Sequence, residues 1–287
     1  MIGRIAIILV ALGGAIGTYI RFHYTYEPLS GEAITLLTIG IVVGGGVIGS
    51  VIRFLISGYA LPLSGSTGFP FGVMIANVIA CILYAGVYVV CVKYIEGISI
   101  RYNLFMFVTI GIAGGLSTFS SFALDVAILS DRKKYSYMLI YILTTLVLCF
   151  GSIFLIFHFM NFELFSKRSN MPIPVNTIII NVVGSFIMGV FIGLISRYGK
   201  GGYGGTALHL FVASGILGGM TTFSSFAVDT VLLVKHNYLD KIGVDLITGF
   251  KDASIYASAS LFGCIFAFIF GLQIVRLIYT KKLLRKR

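Results

Sequence analysis

Residues 218–226 read Gly-Gly-Met-Thr-Thr-Phe-Ser-Ser-Phe, and residues 114–122 read Gly-Gly-Leu-Ser-Thr-Phe-Ser-Ser-Phe. Both copies continue into Ala-x-Asp, so nine of twelve positions are identical. Each copy lies in an apolar run long enough to span a membrane, where every backbone polar group needs a partner in the protein or in a water-lined cavity. Glycines followed by hydroxyl side chains weaken a helix, so the pattern predicts an interrupted helix. A kinked helix is the alternative, but packing alone rarely requires the same residues twice.

The composition identifies a membrane protein. The chain has 287 residues, of which 58% are apolar and 11% are charged, and a membrane-spanning helix needs about 20 mainly apolar residues. The first apolar run is a span rather than a signal peptide, because no small-x-small cleavage site follows it. The fold class predicted is an all-α membrane protein with eight transmembrane helices. These are expected near residues 4–21, 35–57, 72–95, 103–129, 136–160, 174–196, 208–234 and 251–277.

Several functional classes are disfavoured by the sequence. The net charge of +11 does not indicate nucleic-acid binding, because the basic residues are spread over loops and a C-terminal tail. The four cysteines fall within predicted spans without a C-x-x-C pair, which indicates neither disulfides nor a metal site. We find no nucleophile–base pair and no phosphate-binding loop, so an enzyme is not expected. The basic tail and residues 132–134 predict that both termini face the cytoplasm, in the plasma membrane or a bacterial inner membrane.

A second repeated motif occupies the first two spans. Residues 13–22 and 45–54 share Gly-Gly-x-Ile-Gly-[Ser/Thr]-x-Ile-Arg-Phe at an offset of 32 residues. Glycines at this spacing allow helix backbones to approach closely, and a structural use is favoured over a direct ligand role. The motif arginines, Arg21 and Arg53, are expected to extend to the membrane interface.

The order of the repeats predicts an insertion. Asn77 matches Asn181 at an offset of 104, as do the two glycine–threonine stretches, and Tyr141 matches Tyr256 at an offset of 115. Span 1 therefore matches span 2, whereas spans 6 to 8 match spans 3 to 5.

We expect an inner repeat, residues 33–160, inserted after the first helix of an outer repeat formed by residues 1–32 and 161–287. Because the insertion follows an odd number of spans, the two four-helix repeats are predicted to be inverted, with a broken third helix in each.

A neutral polar set at membrane depth suggests an anion as the ligand. Phenylalanines three residues apart share a helix face, their ring edges are electropositive, and hydroxyl and amide groups donate hydrogen bonds. Such groups suit a small dehydrated anion that must not be trapped by a full positive charge. Core packing for the phenylalanines, and helix–helix hydrogen bonding for the asparagines, are the alternatives.

These motifs resemble the Fluc (CrcB) family of fluoride channels over nearly the whole chain. The resemblance implies a passive fluoride-selective channel in a lipid bilayer, which exports fluoride and lowers its cytoplasmic concentration. Family members are small four-span subunits that pair antiparallel, with two pores and a central structural sodium ion. Here the insertion would supply an internal pseudo-dimer that functions as a single chain.

The same resemblance assigns site residues. Sodium would be held by the backbone carbonyls of Gly114, Ser117, Gly218 and Thr221. The pores would be lined by Phe119, Phe122, Phe223, Phe226, Asn77, Asn181, Thr145, Ser260, Tyr141 and Tyr256. The chain departs from the family pattern at Ala80-Cys81, which replaces the Gly184-Ser185 pair of the outer repeat, at Ser117, and at Cys149 and Cys264.

Two other functions remain open on the sequence alone. A small inverted-repeat, proton-coupled exporter of a metabolite or toxic compound would need a titrating carboxylate in its pathway, and Asp125 and Asp229 are the candidates. A membrane scaffold without transport is the third alternative, although it leaves two copies of costly polar residues in the spans unexplained.

Overall fold

The computed structural model describes residues 2–25, 35–160, 173–198, 207–239 and 246–284, and the regular secondary structure in these ranges is helical. Among these described residues, eight helical segments are long and apolar enough to cross a membrane, which confirms the prediction of eight spans. We number them spans 1 to 8. Their bounds are Gly3–Thr25, Leu36–Ser64, Phe71–Lys93, Ile98–Asp131, Tyr135–Phe159, Val175–Ser196, His209–Val234 and Gly249–Thr280. Part of the basic tail, residues 285–287, lies outside the described residues.

Span 4 is a composite helix. An α-helix over Ile98–Phe105 continues as a π-helix over Met106–Ala113 and a last α-turn over Gly114–Leu116. Ser117 and Thr118 are extended, and the helix resumes over Phe119–Asp131. π-helical turns are rare and frequently occur at functional sites.

Span 7 repeats this sequence of conformations. A π-helix over His209–Leu217 is followed by an α-turn over Gly218–Met220. Thr221 is extended, and the next helix covers Phe223–Leu239. Both interruptions therefore fall within the duplicated motif.

Glycines allow span 1 to pack directly on span 7, and span 2 on span 4. A methyl group added at Gly17 would collide with the carbonyl oxygen of Ile216, and one at Gly49 with the carbonyl oxygen of Ile112. Small residues at such crossings let two backbones touch. Since these positions are related by the offsets of 32 and 104, the two helix pairs make equivalent contacts.

Spans 4 and 7 lie at the centre of the molecule. In the most apolar 18-residue stretch of spans 4 and 7, 72% of the residues are buried, whereas the corresponding fraction in the other six spans is 22–44%. The outer spans expose large apolar side chains on the opposite face, including Phe262, Phe266 and Phe270 of span 8. An apolar surface of this kind is typical of contact with lipid.

Polar contacts at the helix ends connect sequence-distant segments. Arg276 forms an ion pair with Asp131 at 2.8 Å, and Lys134 Nζ donates to the carbonyl oxygen of Thr67 at 2.6 Å. Lys93 Nζ donates to the carbonyl oxygen of Met160 at 2.8 Å. Each contact joins two helix ends. If the eight spans cross the membrane in succession, both ends of each contact lie on the same side of the membrane.

The second span is longer than expected at its end. Residues 58–64, beyond the predicted end of the span at residue 57, continue the helix, which includes Pro62 and ends at Ser64, before a 3₁₀ turn over Gly65–Thr67. A proline in the last turns of a helix removes one backbone hydrogen bond, and this limited loss does not end the helix.

We predict that Gly49→Ala destabilises the protein by about 1–3 kcal/mol, the usual cost of overpacking a tight contact. The measurement is the melting temperature of the detergent-purified chain, followed by loss of the monodisperse gel-filtration peak. Gly44→Ala is the control, because no atom lies within 4 Å of the added methyl group. Equal stability of the two variants would contradict the close contact.

Candidate functional site at the interrupted helices

The two interruptions cap each other. Ser117 Oγ accepts a hydrogen bond from the backbone N–H of Ser224 at 3.0 Å. In the other direction, Thr221 Oγ1 accepts from the backbone N–H groups of Phe119 at 3.2 Å and Ser120 at 3.1 Å. The first N–H groups of a helix lack partners within it and are commonly satisfied by such hydroxyls. Each repeat thus caps the helix of the other repeat, a role that the sequence analysis did not assign to these side chains.

Hydroxyls also satisfy the carbonyl groups that precede each interruption. Ser120 Oγ donates to the carbonyl oxygen of Leu217 at 3.1 Å, and Ser224 Oγ donates to that of Ala113 at 3.3 Å. Both bonds cross from one repeat to the other. The duplicated hydroxyl run is therefore used largely to join the repeats.

The two asparagines support the extended residues. Asn77 Oδ1 accepts from the N–H of Thr118 at 2.9 Å, and its Nδ2 donates to the carbonyl oxygen of the same residue at 3.4 Å. Asn181 makes the same pair of bonds with Thr222, at 2.8 and 3.0 Å. Both asparagines are fully buried. Their amides thus serve the interruption directly, and pore lining by Asn77 and Asn181 stays a prediction.

The four predicted phenylalanines form one cluster between the repeats. Phe119, Phe122, Phe223 and Phe226 are all fully buried. The ring centroids of Phe119 and Phe226 are 5.1 Å apart at 73°, and those of Phe122 and Phe223 are 5.2 Å apart at 55°. Such inclined contacts direct electropositive ring edges towards neighbouring groups. Spacing by three residues correctly predicts that each phenylalanine pair lies on one face of its helix. The tertiary structure brings the two helix faces together.

A tyrosine extends this cluster on each side. The Tyr141 ring lies 5.2 Å from that of Phe122, and its hydroxyl donates to Asp125 Oδ2 at 3.1 Å. The Tyr256 hydroxyl donates to Asp229 Oδ2 at the same distance. The two carboxylates considered for an exporter thus lie beside residues predicted to line the pores.

Thr145 and Ser260 differ in their hydrogen bonding. Thr145 Oγ1 donates to the carbonyl oxygen of Tyr141 at 2.7 Å. Ser260 Oγ is buried and has no hydrogen-bond partner among the described residues. The Ser260 hydroxyl is therefore available to a ligand on its side of the molecule.

Two departures from the family pattern compensate each other. In the outer repeat, a methyl group added at Gly184 would collide with Cγ2 of Thr221. At the equivalent positions of the inner repeat, Ala80 carries that methyl group and Ser117 lacks the corresponding Cγ2. Compared with the outer repeat, the inner repeat thus has one methyl group fewer on the interrupted span and one more on the neighbouring span. Of the other departures, Cys81, Cys149 and Cys264 are buried free thiols.

The expectation that the motif arginines extend to the membrane interface is wrong. Arg21 and Arg53 are only 2% and 4% exposed. Nη2 of Arg21 donates to the carbonyl oxygen of Ile110 at 2.6 Å, and Nη2 of Arg53 donates to that of Ser214 at 2.7 Å. The carbonyl groups of the π-helical turns bind the guanidinium groups and keep them inside. The available signal was a charged residue kept twice within a span, which by default indicates a specific role.

The carbonyl groups predicted for sodium fit a free cation poorly. Arg53 Nη1 donates to the carbonyl oxygens of Gly218 at 2.8 Å and Ser117 at 3.3 Å. The Arg21 guanidinium lies against Gly114, where it occupies the place of an added methyl group. Two unit charges of like sign 4 Å apart repel each other by about 4 kcal/mol at an effective dielectric constant of about 20. The Arg53 guanidinium group therefore competes with sodium for the carbonyl oxygens of Ser117 and Gly218.

The fold and the site define a membrane protein built from two copies of a unit in which an interrupted helix is packed on a glycine-rich helix. The family described as "CrcB-like protein, Camphor Resistance (CrcB)" matches residues 39–157 and 155–272. The chain therefore belongs to the CrcB family and contains two copies of its domain. Membership confirms the predicted resemblance and the prediction that the chain is not an enzyme.

Curated relatives match part of this chain. A protein of Novosphingobium aromaticivorans named "Fluoride-specific ion channel FluC" is 39% identical over 107 residues, which are 37% of this chain and 73% of that protein. Proteins of the same name from Mesorhizobium japonicum and Agrobacterium fabrum are 42% identical over 103 residues and 35% identical over 119 residues. These matches cover 36% and 42% of this chain, and 71% and 92% of the relatives. No solved structure matches the chain.

We predict that Gly184→Ala destabilises the chain by about 1–3 kcal/mol through overpacking against Thr221. Adding Thr221→Ser removes the colliding methyl group and should restore most of the loss, with a coupling energy of about 0.5–3 kcal/mol between the two sites. Melting temperatures of both single variants and the double variant provide the measurement. Additive effects would argue against the exchange of a methyl group between these positions.

Proposed function

We propose that the chain is a passive, fluoride-selective channel that carries both halves of an antiparallel pair in one polypeptide. The observation that carries the proposal is that a chain of the CrcB family holds two copies of the buried phenylalanine, tyrosine and hydroxyl set. Relatives that match 37% and 42% of this chain, and 73% and 92% of their own length, are named as fluoride-specific channels. A chain with two copies has the parts of two such subunits.

The chemistry of the site suits fluoride. This anion is small and strongly hydrated, so its passage requires polar groups that replace water without binding it too tightly. Ring edges of Phe119 and Phe226, and neutral donors such as the Ser260 hydroxyl, provide partial positive charge. We propose two pathways, one past Phe119, Phe122 and Tyr141, and the other past Phe223, Phe226 and Tyr256. Thr145 and Ser260 would continue these polar tracks.

Inverted repeats are part of this proposal. Packing of span 1 on span 7, in the way that span 2 packs on span 4, supports the assignment of span 1 to the outer repeat. Residues 1–32 and 161–287 would then form that repeat around the inserted residues 33–160. An odd number of spans before the insertion turns the inner repeat over. The reciprocal caps at the two interruptions are consistent with a twofold relation between broken third helices.

The orientation in the membrane is also proposed rather than observed. With the buried Arg21 and Arg53 left out, the side that holds both termini carries 12 of the remaining 19 lysine and arginine residues under the eight-span topology. By the positive-inside rule this side faces the cytoplasm. The resemblance predicts sodium at the four carbonyl groups, and the proposed conduction does not depend on that ion.

We expect the purified chain in liposomes to release fluoride, but not chloride, down its gradient. Phe119→Ile and Phe223→Ile should each slow fluoride efflux by about tenfold or more, equivalent to about 1.4 kcal/mol, because an aliphatic side chain has no electropositive ring edge. A fluoride-selective electrode follows the efflux. Phe262→Ile, which changes a side chain that is 56% exposed on the outer face, is the control. Equal fluxes of both anions, or unchanged efflux in both site variants, would reject the pore assignment.

A proton-coupled exporter is the second candidate, because Asp125 and Asp229 each accept a hydrogen bond from a buried tyrosine within the spans. A passive channel needs no proton gradient. We therefore expect fluoride efflux to persist in liposomes with equal internal and external pH and an added protonophore. Loss of transport under these conditions, together with its abolition in the Asp125→Asn/Asp229→Asn variant, would favour the exporter.

A further inference from the structure

One arginine connects both interrupted spans. Nη1 of Arg53 donates to the carbonyl oxygens of Gly115 and Ser117 in span 4 and of Gly218 in span 7, and Nη2 donates to that of Ser214. The guanidinium group thus links carbonyl oxygens from both repeats at the point where the helices are interrupted. Carbonyl oxygens released at a helix end carry partial negative charge, which a buried cation can offset.

The equivalent arginine does not make this bridge. Arg21 donates through Nη2 to Ile110, which corresponds to the bond from Arg53 to Ser214 at the offset of 104. Its Nη1 is buried and has no hydrogen-bond partner among the described residues. Arg21 therefore repeats one of the four hydrogen bonds of Arg53, and among the described residues its side chain donates to a single carbonyl oxygen, that of Ile110.

We propose that the Arg53 guanidinium is the resident cation at the crossing of the two interrupted helices, in the place for which the family resemblance predicts sodium. Its charge is covalently attached, so it offsets the carbonyl oxygens of Ser117 and Gly218 without a metal ion. A single chain makes this possible, because its two repeats need not be identical, and only one of the two arginines has to enter the crossing. Stability and transport of this chain are accordingly independent of sodium.

The test compares sodium with choline as the only added cation. A ligand that binds the folded state raises its melting temperature. Purified wild-type chain, freed of sodium by dialysis, should show a melting temperature in detergent that shifts by less than about 1 °C on addition of about 100 mM sodium chloride in place of choline chloride. A rise of several degrees that saturates with sodium overturns the proposal. This measurement does not depend on fluoride transport, so it can fail independently of the proposed function.

Two matched variants probe the bridging role. Arg53→Gln removes the charge from the crossing and exposes its carbonyl oxygens, so this variant should lose stability and should acquire a sodium-dependent rise in melting temperature. Arg21→Gln, which removes an equivalent residue without the bridge, should remain indifferent to sodium. Equal losses of stability in the two variants, with no sodium response in either, would overturn the assignment to Arg53. Should Arg53→Gln not fold, the effect of sodium on the melting temperature of the wild-type chain still tests the proposal.

Fluoride efflux provides an independent test of whether the chain needs sodium. Fluoride efflux from liposomes containing the wild-type chain should differ by less than about twofold between sodium and choline buffers. A loss of about tenfold or more on removal of sodium, with normal efflux in sodium, would overturn the proposal while leaving fluoride transport intact. Absence of fluoride efflux in both buffers would instead reject the proposed function. The melting-temperature comparison would then be the test of whether Arg53 takes the place of sodium.

Discussion

The structure depends on satisfying backbone groups where two helices stop within apolar spans. An unpaired backbone group costs several kcal/mol in a lipid environment, and each interruption releases several of them. Ser117 of the inner repeat and Thr221 of the outer repeat cap the helices of the opposite repeat. Neither interrupted helix is complete without the other. The reciprocal hydrogen bonds therefore couple the two repeats more tightly than apolar packing between them alone would.

This coupling determines which groups remain for a passing ion. Most of the duplicated hydroxyls, and both asparagine amides, are engaged in supporting the interruptions. Beside them lie a cluster of buried aromatic rings, two tyrosine–aspartate pairs and the Ser260 hydroxyl, which has no hydrogen-bond partner among the described residues. A site of this composition offers partial positive charge rather than a fixed counter-ion. A channel of the proposed kind would use such a site to pass an anion rather than to retain it.

Joining two copies in one chain permits differences that identical subunits on a strict twofold axis do not allow. The exchange of a methyl group between Ala80/Ser117 and Gly184/Thr221 preserves the packing around both interruptions. The arginines differ in a comparable way, because Arg53 reaches carbonyl oxygens of both repeats whereas Arg21 reaches Ile110. Sequence divergence between the copies has thus been accompanied by distinct contacts in the centre of the molecule.

The sequence by itself determined the number of spans, the family and the pairing of equivalent residues, because hydropathy and internal repetition are recorded directly in the order of residues. It also identified the phenylalanine pairs, since helical spacing decides which side chains share a face. It did not reveal that Thr221 caps Phe119 and Ser120, or that Arg53 is turned inwards to Ser214 and Gly218. Those partners lie about 100 to 165 residues apart in the chain, and only the packing of spans 2, 4 and 7 against one another brings their donors and acceptors within hydrogen-bonding distance.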